Sequence, residues 1–133
     1  MISRAVRAAC LLLPLAATPA AAADGTVVPL LAKDLPGLAS GAKEGVLLTV
    51  EYPPGGATPA HLHRAHVFVY VLEGAVVMQV AGGPEVTLTA GQTFYESPDD
   101  VHTVSRNASA TQPAKMLVLT IKDKGAPVLV PAH

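Results

Sequence analysis

The sequence predicts an all-β fold, a sandwich or barrel of short antiparallel strands. Three observations carry that prediction. Short runs of β-branched and aliphatic residues recur after residue 40, Gly- and Pro-rich turns separate them, and no stretch there has helical periodicity of useful length. The chain has 133 residues, half of them hydrophobic and only 14% charged, so it can bury one real core. No second domain is indicated.

The N-terminus stands apart from that pattern. Arg4 and Arg7 precede an apolar stretch from Ala8 to Ala17, and a small-residue tract ends at Ala21-Ala22-Ala23. This is the three-part layout of a secretory signal peptide, with cleavage expected after Ala23. The apolar stretch is too short to span a bilayer. The sequence before Cys10, Arg7-Ala8-Ala9, does not resemble a lipobox. Export to the periplasm or the medium is therefore expected, with no membrane association once the peptide is removed. Cleavage takes the single cysteine, so the mature protein has neither disulfides nor thiolate ligands. Only His and carboxylates remain for metal or acid–base chemistry.

Residues 24–44 read as an N-terminal arm or edge strand, 45–122 as the barrel and 123–133 as a C-terminal tail. Within the barrel, GVLLTVEY (Gly45 to Tyr52) is a strand stopped by Pro53-Pro54-Gly55-Gly56. HVFVYVL (His66 to Leu72) is a second, and AVVMQVA (Ala75 to Ala81) is expected to pair back on it across Glu73-Gly74 as a hairpin. Gly82-Gly83-Pro84 turns into EVTLT (Glu85 to Thr89), whose residues alternate polar and apolar. Ala90-Gly91 turns into QTFYE, Ser97-Pro98-Asp99-Asp100 into VHTVS (Val101 to Ser105), and KMLVLTI (Lys115 to Ile121) is the last strong strand.

A formal net charge of −1, with no basic run, argues against nucleic acid or an anionic membrane as partner. Chemistry is concentrated in the histidines. His61 and His63 are two apart on a strand-like segment, so their side chains share a face, and two converging imidazoles suit Zn, Fe, Ni, Cu or Mn. His102 follows on another strand beside a turn, which a small antiparallel barrel can bring opposite the pair. A His-x-His alone is also common as an ordinary surface or core pair.

Two longer patterns make the reading specific. In GGATPAHLHRAHVFVYVLEG, Gly55, His61, His63 and Gly74 fall in the register of the first motif of the cupin superfamily, and in GQTFYESPDDVHTVSRN, Gly91 and His102 match the second. The chain thus resembles a small single-domain cupin from about Gly45 to Ile121. The resemblance implies a jelly-roll β-barrel with a divalent metal inside, commonly held by two His, a Glu and a last His. On that pattern His61, His63 and His102 are the expected ligands. Small members commonly pair, and the chain's apolar excess leaves strand residues such as Tyr70 and Leu72 to cover, so a homodimer is expected.

The departures are informative. The family's Glu position holds Val67, with His66 just before it. Either the carboxylate is lost, or His66 replaces it through a shift or bulge in the strand; the other reading has His66 at the barrel mouth facing solvent. We take His66 as a fourth candidate ligand. In the second motif Ser97 and Asp99 stand at the Pro and Gly positions, and Asn107 lies one residue beyond the usual Asn. Glu96, six residues before His102, is a candidate base for substrate or a partner that orients a ligand His; the alternative is a solvated turn carboxylate. His133, at the chain end, has no assigned role.

The polar groups expected at the barrel mouth are few: Arg64, Gln79, Tyr70, Thr103 and Glu96. So sparse a set points to a small, largely apolar molecule as substrate or ligand. The expected activity is that of a metal-dependent dioxygenase, isomerase or lyase. The alternatives are a non-catalytic module that binds a small molecule or metal, and a structural remnant without metal.

Overall fold

The computed structural model describes residues 25–35 and 41–132. The expected signal peptide, Met1 to Ala23, and His133 lie outside those residues. In chain order the strands are β1 (Thr26–Leu35), β2 (Lys43–Tyr52), β3 (Ala57–Thr58), β4 (His61–Leu62), β5 (His66–Glu73), β6 (Ala75–Val80), β7 (Val86–Thr89), β8 (Thr93–Glu96), β9 (Val101–Asn107), β10 (Ala114–Asp123) and β11 (Val130–Pro131). There is no helix among the described residues.

Two antiparallel sheets face each other. One runs β1-β2-β10-β5-β8 and the other β11-β4-β9-β6-β7, with β3 paired to β9. The period-2 pattern explains which side each strand shows. On β5, Val67, Val69 and Val71 are buried while His66, Phe68, Tyr70 and Leu72 are exposed. Val46 and Leu48 of β2, Met116 and Val118 of β10, and Val76 and Met78 of β6 complete the core. Each such side chain contributes about 1.5–3 kcal/mol by leaving water. A one-residue slip in any strand would forfeit its whole buried set, which is what holds the register.

The expected hairpin between His66–Leu72 and Ala75–Ala81 does not form. β5 pairs with β10 and β8, whereas β6 pairs with β9 and β7. Gly74 is instead a corner at which the chain leaves one sheet for the other. Its φ is +69°, and a Cβ there would meet the Pro113 carbonyl oxygen at 2.5 Å. Two residues suffice for a hairpin only when both strands have a free edge to share, and here both are committed elsewhere.

The arms are part of the barrel wall. β1 pairs along the edge of β2, and β11, within the expected tail, pairs with β4. Asn107 ties the end of β9 to the turn after β2: its Nδ2 donates to the carbonyls of Pro53 (3.0 Å) and Gln112 (2.8 Å), and its Oδ1 accepts from the Ser109 amide (2.8 Å). Its displacement by one residue from the usual motif therefore leaves it a structural task. At the other end of β10, the buried Lys122 pairs with Glu44, its cross-strand neighbour.

Candidate metal centre

His61 and His102 are cross-strand partners on β4 and β9. His63 lies just beyond β4, on the same side as His61, before Arg64 turns the chain with a φ of +46°. The three rings gather in one place: His61 and His63 have centroids 4.7 Å apart, His61 and His102 4.9 Å. One ring nitrogen from each lies within 4.8 Å of the others, a group able to hold a metal ion.

A bulge makes this convergence possible. Opposite β6, the register skips a residue of β9 at Thr103, between the pairs Gln79↔Val104 and Val80↔His102. As a result His102 and Ser105, three residues apart, both turn inward. An unbroken pleat would put them on opposite faces.

The ring tautomers are set by backbone carbonyls. His61 Nδ1 donates to the Pro59 carbonyl at 2.8 Å and His63 Nδ1 to the Val128 carbonyl at 2.6 Å. A carbonyl can only accept, so both Nδ1 atoms carry a proton, and each ring in its neutral form presents a bare Nε2. Those two Nε2 atoms are 3.0 Å apart. Burial, the largest cause, lowers the His61 pKa to about 4, with His63 and His102 adding to the effect, so its ring is neutral at pH 7. Two lone pairs at that separation repel unless a proton or a cation lies with them. Beside them, Nδ1 and Nε2 of His102 and Oε2 of Glu96 are buried without a hydrogen-bond partner. Orphaned buried polar atoms of this kind fit a bound cation.

Glu96 lies beside this cluster rather than in solvent. It is 2% exposed, and its Oε2 lies 3.2 Å from His102 Nδ1 and 3.7 Å from His63 Nε2. The turn that separates it from His102 is closed by the Asp100 amide on the Ser97 carbonyl (3.1 Å) and the Ser97 amide on Asp100 Oδ2 (2.7 Å). Ser97 and Asp100 thus maintain the turn without the usual Pro and Gly.

His66 is placed elsewhere. It is exposed on the outer side of β5, with Nδ1 2.7 Å from the Tyr95 hydroxyl and its ring stacked on Tyr95. The structure does not bring it to the other three histidines. The outward residues Phe68 and Tyr70, at even spacing from it, are the sequence signal for that placement.

The cluster opens on a cavity of about 320 Å³. Its walls are mostly aliphatic, from Leu48, Val67, Val69, Met78, Met116 and Val118, and among the described residues no Lys or Arg lines it. Of the polar groups expected at the mouth, Glu96 alone lines it. Three hydroxyls that sequence reasoning passed over also do: Tyr52 Oη is 2.6 Å from Thr58 Oγ1 and 2.8 Å from Ser105 Oγ. Burial raises the Tyr52 pKa, so this trio is a neutral polar spot in an apolar wall. Both arms contribute as well, through Gly25 and Val27 at one end of the chain and Val128 and Leu129 at the other.

Comparison with known proteins fits this geometry. The model of the cupin domain matches residues 48–120. No curated protein matches the sequence. Among solved structures, a DMSP lyase from Ruegeria pomeroyi DSS-3 superposes with a TM-score of 0.59 at 24% identity, over 66% of this chain and 43% of the lyase. A protein with a double-stranded β-helix domain from Klebsiella pneumoniae subsp. pneumoniae MGH 78578 gives 0.62 at 19% identity, over 83% of this chain and 85% of that one. An oxalate oxidase in complex with the substrate analogue glycolate gives 0.59 at 25% identity, over 80% of this chain and 54% of the oxidase. The chain therefore spans about half the length of the lyase and the oxidase. The likeness to the first two is one of fold.

Proposed function

The chain belongs to the cupin family, and on that premise we propose that it is a metal-dependent enzyme acting on a small, largely apolar molecule. The observation that carries the reading is the 3.0 Å approach of two imidazole nitrogens, His61 Nε2 and His63 Nε2, beside the unpartnered ring of His102. His61, His63 and His102 would hold a divalent ion of iron, manganese, zinc, nickel or copper. Bound there, the ion supplies a Lewis acid or a redox centre with positions open to the cavity.

The chain's own residues do the rest. The carbonyls of Pro59 and Val128 hold two imidazoles in the ligand tautomer. The aliphatic walls select an apolar body and exclude water, and the Tyr52, Thr58 and Ser105 hydroxyls offer it a neutral polar contact. The same lining argues against the substrates of some neighbours. Oxalate is a dianion, and a cavity with no Lys or Arg among its described lining residues leaves the ion alone to neutralise it. A dioxygenase, isomerase or lyase reaction on a neutral molecule fits better.

Elemental analysis of untagged protein tests the metal, and oxygen uptake against small phenols, diketones and thiols tests the chemistry. Near-stoichiometric metal with turnover supports the enzyme. Metal with tight ligand binding and no turnover would leave a binding module, and protein free of metal after growth in supplemented medium refutes the metal-dependent enzyme and any metal-binding role. Export rests on Met1 to Ala23, and N-terminal sequencing of secreted protein beginning at Asp24 is the expected result. We also propose that two copies pair through the outer face of the β5 sheet, where Phe68, Tyr70, Tyr95 and Leu119 are exposed together. Light scattering should give twice the chain mass, falling to one chain in Phe68→Asp.

A further inference from the structure

We propose that the carboxylate ligand of this centre is Glu96, delivered from β8 in place of the residue the family carries at the Val67 position of β5. The proposal rests on the metal reading above and deepens it.

Strand register makes the exchange possible. Val67 on β5 is the direct cross-strand partner of Glu96 on β8. Both side chains point inward and both line the cavity, with Val67 1% and Glu96 2% exposed. Directly opposed residues have Cβ atoms about 4.5–5.5 Å apart, a separation that one rotamer of a long carboxylate side chain spans. A carboxylate lost from one strand is therefore regained from its neighbour at almost the same point.

The contacts of Glu96 distinguish a ligand from a residue that merely orients a histidine. An orienting carboxylate accepts a hydrogen bond from the outer ring nitrogen of the ligand, which satisfies both atoms. Here Oε2 and His102 Nδ1 are 3.2 Å apart, yet neither has a hydrogen-bond partner. Nor does Oε2 bond His63 Nε2, at 3.7 Å. The carboxylate oxygen thus faces two ring nitrogens without a hydrogen bond to either, and among the described residues no Lys or Arg lines the cavity to offset its charge. A buried carboxylate needs a positive partner. A cation shared with the imidazoles provides one.

The exchange also has a consequence for the cavity. Val67 now presents an aliphatic wall where the family pattern places a charge, so the apolar surface of β5 runs unbroken from Val67 to Val69 beside the centre.

The test uses Zn²⁺ with the untagged protein. A crystal structure of the Zn²⁺-loaded wild type is expected to place a Glu96 oxygen about 2.0–2.2 Å from the ion. Glu96→Gln should weaken Zn²⁺ affinity more than roughly 100-fold, beyond the roughly 10–100-fold typical when an orienting partner is lost. Returning the carboxylate to β5 in the double variant Glu96→Val/Val67→Glu should recover most of that affinity. Glu96→Gln retains the side-chain shape, and a cooperative thermal melt without metal, at or above the wild-type midpoint, confirms that it folds. A Zn²⁺ ion bound by the three imidazoles with Glu96 outside coordination distance, or a smaller loss in Glu96→Gln, overturns this assignment alone. Wild-type protein that takes up no Zn²⁺ overturns the metal reading on which it stands.

Discussion

Replacing His102 with leucine should stabilise the metal-free protein while disabling the centre. His102 is 3% exposed, and neither ring nitrogen has a partner. An unsatisfied buried polar group costs about 1–3 kcal/mol, a penalty that an apolar side chain of similar size removes. Against that stands the stacked contact of the His102 ring with Phe94, centroids 6.0 Å apart, for which an aromatic pair is worth about 0.5–1.5 kcal/mol. The net gain is then about 1 kcal/mol, or a rise of roughly 4–8 °C in the midpoint of a domain this small. With metal the order should invert. A ligand at a hundred times its Kd adds about 2.7 kcal/mol to the wild type, whereas the variant, with one ligand fewer, gains far less. Thermal melts in EDTA and in excess Zn²⁺ make the comparison. If His102→Leu melts below the wild type in EDTA, the ring is satisfied in the metal-free protein and the inference from its orphaned nitrogens is wrong.

Other perturbations probe the scaffold. Gly74→Ala should cost about 2–4 kcal/mol, because a left-handed backbone disfavours any Cβ and this one would press on the Pro113 carbonyl; denaturant melts at an unchanged m-value would read it. Glu44→Gln leaves the Lys122 ammonium buried without its ion pair, and a loss of about 3–5 kcal/mol is expected, whereas the isosteric Lys122→Met with Glu44→Gln should recover most of it. Truncation after Pro127 removes β11 and the Val128 carbonyl that holds His63, so Zn²⁺ affinity should fall roughly 10–100-fold with the barrel still folded. Titration calorimetry of the shortened chain would show whether the tail belongs to the centre or only covers it.

The strands were legible because their residues are locally consistent. Val67, Val69 and Val71 alternate with exposed residues, and the runs at Gly45–Tyr52 and Lys115–Ile121 fall within β2 and β10. Their pairing was less so. Glu73-Gly74 has the local chemistry of a hairpin turn, and nothing within the two runs it joins records that β10 and β8 already flank β5. Which edge a strand uses is decided by residues far along the chain, as with the pairs Tyr70↔Thr93 and His66↔Ile121. The same holds for the tail, whose two-residue strand β11 is too short to carry a pattern of its own.

The centre divides along the same line. His61 and His63 could be read from their spacing, since both side chains stay on one side of a short extended segment. His102 needed a second motif, and its direction depends on a bulge at Thr103 that has no signature in VHTVS. Between His63 and His66 the chain turns at Arg64, so their spacing does not fix a direction; the parity of β5 does, placing His66 in the outer row with Phe68 and Tyr70, where it meets Tyr95. That parity argument reaches further than His66. Any replacement for a carboxylate at Val67 must come from the inner row, and on β5 every inner residue is a valine. The substitute therefore has to come from a neighbouring strand at the same height. β10 offers Thr120 there and β8 offers Glu96, and only one of these carries a charge.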